Sequence, residues 1–315
     1  MLRNFTAAAL MAALGAVPAG TAQAAATRTY VASHGLDSNA SYSCDAAHPC
    51  RTFAAALAQT TDGGEILALD GTGYGAVSID RSVAIVANPG IFAGIGVGSG
   101  AGIGVNIATP GVRVTLRGLT ISGQGGNAGI AMSAGTRLNV ENCIIANFAG
   151  TDQSGISVAA AASVRIVDTI VRDNTYGLLL QGGATADVVN SKFLGNSQVG
   201  IGVFGSVANT TTRAAVMNST ISGGAYGVDA LSTQATATAH LALTRSMVTN
   251  GGIGVNAESS AGTALVTLTG SMVTGHSSAG LRQSGAGAAL KSVGSNTVSE
   301  NATNVVGSVT QVPPL

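Results

Sequence analysis

Tryptophan is absent from this chain of 315 residues, and aromatic residues make up only 3% of it. Sugar-recognition surfaces commonly use aromatic faces as platforms, so this composition is a poor endowment for one. Charge is scarce too: 9% of residues, fourteen basic and fourteen acidic, with a formal net charge of zero. A nucleic-acid partner would call for a basic footprint that this balance does not provide. Disorder is also a poor fit, because 46% of the chain is hydrophobic. Val, Ile, Leu and Ala supply most of that share and suit a narrow stacked core. Beyond the N-terminus no apolar run approaches the roughly 20 residues a membrane helix needs.

The first 24 residues have the pattern of a secretory signal. Arg3 provides a positive start, FTAAALMAALGAV an apolar stretch, and Ala22-Gln23-Ala24 a small-residue cleavage site. The lipobox cysteine of a lipoprotein is missing, since the first cysteine is Cys44. Export to the periplasm or the extracellular space is the expectation. In that setting Cys44 and Cys50, within SYSCDAAHPCRTF, are expected to form a disulfide. His48 between them leaves a zinc site short of a fourth ligand, and His34, His240 and His276 are scattered. We therefore expect no metal and no cofactor. Cys143 reads as a buried free thiol.

Residues 25–63 are expected to form a polar opening segment and a cap helix. Thr52 would cap the helix, with Phe53 and Leu57 on its inner face. Residues 64–315 read as strands. Short ones are expected around Ile66–Leu69, Val77–Ile79, Val83–Val86, Gly94–Val97 and Gly102–Ile107. From Val114 one pattern repeats eight times with a period of 22 to 28 residues. Its second anchors are Ile121, Ile145, Val171, Phe193, Ile221, Val248, Val273 and Val298, each preceded five positions earlier by an aliphatic residue. A single repeat cannot bury its apolar face. Stacking successive turns in parallel closes one continuous core, which predicts a β-solenoid of about ten turns.

Asn142, Asp168, Asn190 and Asn218 share one column, and the spacing predicts side-chain amides bonding up and down the stack. Ser191, Ser219, Ser246 and Ser271 follow one position later. With these columns, VVNSKFLGNSQVGIGV and VMNSTISGGAYGVDA resemble repeats of right-handed parallel β-helix proteins, the pectate lyase and pectin lyase superfamily. The run from Thr52 to Ile79 resembles that superfamily's cap helix and first coil. The resemblance implies an all-β, single-stranded, right-handed parallel β-helix. It also implies polysaccharide chemistry, which in those enzymes relies on clustered Asp residues with an Arg or Lys base.

Such a cluster is not evident in the sequence. Arg117 with Glu141, and Arg165 with Asp187, fall in shared columns as opposite-sign surface pairs, while Asp229 is followed by Asn256 and Arg282. The remaining catalytic candidates are Asp168, Arg172 and Asp173, in one turn near Tyr176. The bland alternative there is an Asp in the Asn column beside a solvated Arg–Asp corner. The string GIGVGSGAGIGV mimics part of a dinucleotide fingerprint but reads better as tight solenoid turns. Two functions remain. One is an exported, non-enzymatic binding, adhesion or envelope-associated scaffold whose partner is a polysaccharide or surface protein. The other is a lyase, hydrolase or epimerase acting on an acidic glycan. The lack of matched enzyme motifs favours the scaffold.

Overall fold

The computed structural model describes residues 25–100 and 102–313. The signal-like segment lies outside them. The chain winds as a parallel β-solenoid of about nine turns, close to the ten expected. Neighbouring strands lie ~4.8 Å apart, so nine turns make a rod of about 43 Å. A representative turn runs through Arg137–Glu141, Ile144–Ala146 and Ser154–Val158. One face of the solenoid is a ten-stranded sheet, and from Ile144–Ala146 onward each of its strands is three residues long. The other two faces form a twenty-stranded sheet, because Tyr226–Thr244 and Ile253–Thr269 carry hydrogen bonding around the corner between them.

The register confirms the repeat residue by residue. Ile121 pairs with Ile145, Ile145 with Val171, Val171 with Phe193, and so on to Val273 with Val298. These anchors are fully buried from Ile121 to Val273. Their alternation with exposed neighbours is what a strand with one wet face requires. The glycines opening the next strand sit where two turns touch: a Cβ at Gly200 would lie 2.6 Å from the Gly227 carbonyl oxygen.

The polar columns differ from the expectation in an instructive way. Asn142, Asp168, Asn190 and Asn218 are exposed and make no amide ladder with one another. Their φ angles are 50° to 52°, and the same column continues with Gly118, Arg245, Gly270 and Ser295, all at positive φ. The column selects for a left-handed corner, which Asn, Asp and Gly tolerate best. The ladder is one residue later. The N–H of Thr169 donates to Ser191 Oγ, Ser191 to Ser219, Ser219 to Ser246 and Ser246 to Ser271, at 3.1 to 3.3 Å. Ser271 in turn donates to Asn296 Oδ1 at 2.9 Å. A second interior ladder lies three positions after the anchors, where Asn174 Nδ2 donates to Asn196 Oδ1 at 2.9 Å.

At the N-terminal end Ala26–Val31 pairs in parallel with Thr60–Ala68, so the opening segment contributes a strand. The helix Phe53–Gln59 covers this end with Phe53, Ala56 and Leu57 buried. Thr52 caps it, accepting from the Ala55 N–H at 3.1 Å. Cys44 and Cys50 are disulfide-bonded with Cα atoms 5.0 Å apart. The C-terminal end is barer: Val305 and Val306 are each 42% exposed.

Candidate functional site

Three places could carry function, and each sits differently on the rod. Asp168 and Asp173 occupy two separate left-handed corners, at φ 50° and 57°, on either side of the strand Ile170–Arg172. Arg172 is ion-paired with the adjacent Asp173. The two carboxylates are thus divided by a strand, about 15 Å of extended chain. Among the described residues no three His, Cys, Asp or Glu side chains gather as a metal site. Arg117 and Glu141 form the surface pair expected of them, at 2.7 Å. Arg165 and Asp187 pair in register but form no ion pair. Cys143 is buried, and burial pushes its thiol up to about 11, so at neutral pH it is an inert thiol.

The second place lies on the twenty-stranded sheet. Asp229, Asn256 and Arg282 stack in register on the outer side of their strands, between the inward-facing Val228 and Ala230 and their equivalents. Asn256 Nδ2 donates to Asp229 Oδ1 at 2.9 Å, and Glu258, two residues further along the same strand, pairs with Arg282. Arg282 lies 5.9 Å from the Tyr226 ring centroid. Asp229 is 5% exposed and Asn256 1%. Burial, reinforced by the Glu258 charge, pushes the Asp229 carboxyl up to about 6, against the Asn256 hydrogen bond and Arg282. Asn256 Oδ1 and Arg282 Nε are buried without partners. The sequence signal for Glu258 was its i+2 spacing from Asn256, which puts both on one strand face. The cluster holds a carboxyl near neutral pH, but under cover.

The third place is the outer face of the ten-stranded sheet. One outward row runs Thr120, Ile144, Ile170, Lys192, Thr220, Met247, Met272, Thr297. Its companion two residues on runs Ser122, Ala146, Arg172, Leu194, Ser222, Thr249, Thr274, Ser299. Lys192 and Arg172 carry the charge of these two rows, and every other member is neutral. Ile144, Met247 and Met272 are exposed large apolar side chains. At the N-terminal end of the face Phe92 is 57% exposed. There the strand expected over Gly94–Val97 runs from Ala93 to Gly98, with Gly94, Gly96 and Gly98 in it and none at positive φ. Period-2 alternation with Ala93, Ile95 and Val97 explains this, since those three are buried and the glycines face out.

A family model described as "Right handed beta helix region" matches residues 68–216. The chain is a right-handed parallel β-helix. The crystal structure of pectate lyase Pel9A matches this β-helix with a TM-score of 0.52 at 15% identity, covering 91% of this chain and 78% of the other. A rhamnogalacturonan lyase covers 85% of this chain and 74% of its own at 11% identity, with a TM-score of 0.35. At 15% identity the likeness to the pectate lyase is one of fold. No curated protein matches the sequence.

Proposed function

We propose that this β-helix is an exported, non-enzymatic recognition scaffold that engages a polysaccharide or a surface protein through the outer face of its ten-stranded sheet. The observation that carries this is the face itself. Two in-register rows run across eight turns, neutral apart from Lys192 and Arg172, with Ile144, Met247 and Met272 left exposed among hydroxyl side chains. Apolar side chains repeated in one face and bordered by polar ones are a mark of interaction surfaces. The carboxyl best suited to proton transfer, Asp229, is sealed from solvent, and the exposed candidates are spread over separate corners. The signal-like N-terminus and the Cys44–Cys50 disulfide support export.

The test is a glycan-array screen of the mature protein. Each bound polysaccharide is then incubated with it and examined for shortened chains or unsaturated ends. Binding without product is the expected result. Product that disappears in Asp168→Ala or Asp173→Ala would overturn the scaffold reading and place catalysis at that turn.

A further inference from the structure

Three consecutive outward positions of the strand Ala93–Gly98 carry no side chain, and packing explains only one of them. Glycine weakens a strand interior, and there it often marks a place kept bare for a close approach. A Cβ at Gly94 would lie 2.8 Å from Phe92 Cε1, so the Phe92 ring rests on Gly94. At Gly96 a Cβ would meet nothing nearer than the Gln124 amide at 3.5 Å, and at Gly98 nothing within 4 Å. Neither glycine has positive φ, so backbone conformation does not require them. The bare strand floors a groove of about 270 Å³.

The walls of this groove are chemically mixed and uncharged. Phe92 stands on one side. The next turn supplies Thr120 and Ser122, in register with Gly94 and Gly96, and Gln124 lies over Gly96. Ser122 Oγ accepts from Asn147 Nδ2 at 3.2 Å, which leaves its own proton to donate. The Thr120 hydroxyl and the Gln124 amide make no hydrogen bond among the described residues.

We propose that this groove is a binding subsite for a neutral sugar ring, one residue of a polysaccharide lying along the sheet. The assignment rests on the recognition reading above and specifies its ligand class. A sugar ring has an apolar C–H face and a rim of hydroxyls. The exposed Phe92 face matches the first, and Thr120, Ser122 and Gln124 match the second with donors and acceptors two strand positions apart. A wholly apolar ligand would strip those polar groups of water without replacing their hydrogen bonds. A charged ligand would meet no counter-charge among the lining residues. The volume sits just under the ~300 Å³ lower end of small-molecule sites, which suits a sugar ring rather than a large cofactor. Low aromatic content argues against a surface built from many platforms, and is compatible with one platform held in place by a glycine.

Calorimetric titration with defined neutral hexasaccharides tests the assignment, comparing the natural protein with Phe92→Ala, Gly96→Val and, on the other sheet, Thr185→Ala. Phe92→Ala and Gly96→Val are expected to weaken binding about ten-fold or more, while Thr185→Ala changes it less than two-fold. Gly96→Val should keep or raise the thermal midpoint, because an outward β-branched residue fits the space there. Lost binding would then not be lost folding. Unchanged binding in both groove variants would overturn the subsite and leave the scaffold reading standing. So would a natural protein that binds no neutral oligosaccharide, with protein partners then the remaining ligands. Sugar cleavage by a protein whose affinity still depends on Phe92 would overturn the non-enzymatic reading and keep the subsite.

Discussion

Asp229 concentrates the chemistry of this molecule in one residue. Its carboxyl points to the outer side of a strand, where a charged form would ordinarily be hydrated, yet it is 5% exposed beside Asn256. Burial moves it from the ordinary 3.8 up to about 6. Between those values the folded chain holds a proton that the unfolded chain has released, so stability falls as pH rises through that window. The contribution is fully present below about 3.8 and lost above about 6. Two pH units correspond to about 3 kcal/mol as an upper bound. Asp229→Asn should therefore raise stability at pH 7.5 by up to about 3 kcal/mol relative to the natural protein and leave the two nearly equal at pH 3.5. Urea unfolding at both pH values measures this. An equal gap between the two proteins at both would reject the raised carboxyl. The sequence put Asp229, Asn256 and Arg282 in one column, but nothing in residue type showed that an outward Asp would be covered.

At the scale of the repeat element, the corner between the strands divides its work between two adjacent columns. The first supplies a left-handed backbone, the second a hydroxyl that accepts the N–H of the turn before it. Ser219 does both duties of its column, accepting from Ser191 at 3.1 Å and donating to the Met217 carbonyl at 2.9 Å. Removing its hydroxyl strands a buried N–H, so Ser219→Ala should cost about 1–3 kcal/mol by chemical denaturation. Arg245 is, with Ser295, a misfit of the first column, holding φ 45° where its neighbours in sequence period are Asn218 and Gly270. A non-glycine residue pays about 1–2 kcal/mol there, and Asn less than most. Arg245→Asn should thus stabilise by about 0.5–1 kcal/mol, seen as a raised urea midpoint with an unchanged slope. A lowered midpoint would show that the Arg245 Nε hydrogen bond to Asn218 Oδ1 outweighs the backbone strain. The anchors and the period were legible in the sequence because apolar alternation has one physical meaning. The Asn column was not, because Asn both bonds through its amide and tolerates positive φ, and spacing alone does not choose. The groove beside Phe92 was hidden for another reason: the strand over Gly94–Val97 was legible, but that Phe92 and Gln124 would frame its bare positions depends on side-chain placement that spacing does not give.

Over the whole molecule, stability is a sum over stacked turns, each contacting its neighbours, so the ends set how the rod opens. The N-terminal end has a helix, the Thr52 cap and the Cys44–Cys50 bridge, whereas the C-terminal end leaves Val305 and Val306 in solvent. The anchor Val298 is half-buried where its seven predecessors are fully buried. Hydrogen exchange should accordingly be fastest in Val305–Val306 and Val309–Val312 and slowest in the central strands such as Ile144–Ala146 and Ile170–Arg172. Reducing the disulfide, which closes a loop six residues apart, removes about 2 kcal/mol of chain restraint. In a stack this loss should surface locally, as faster exchange in Ala26–Val31 and Thr60–Ala68 with the central strands unchanged. Exchange that accelerates uniformly on reduction would mean that the turns open together and that nearest-neighbour stacking is the wrong description. Slow exchange at Val305–Val312 in the oxidised protein would mean that the open end is covered in solution. A concentration-dependent shift in sedimentation would then identify a second copy of the chain as the cover.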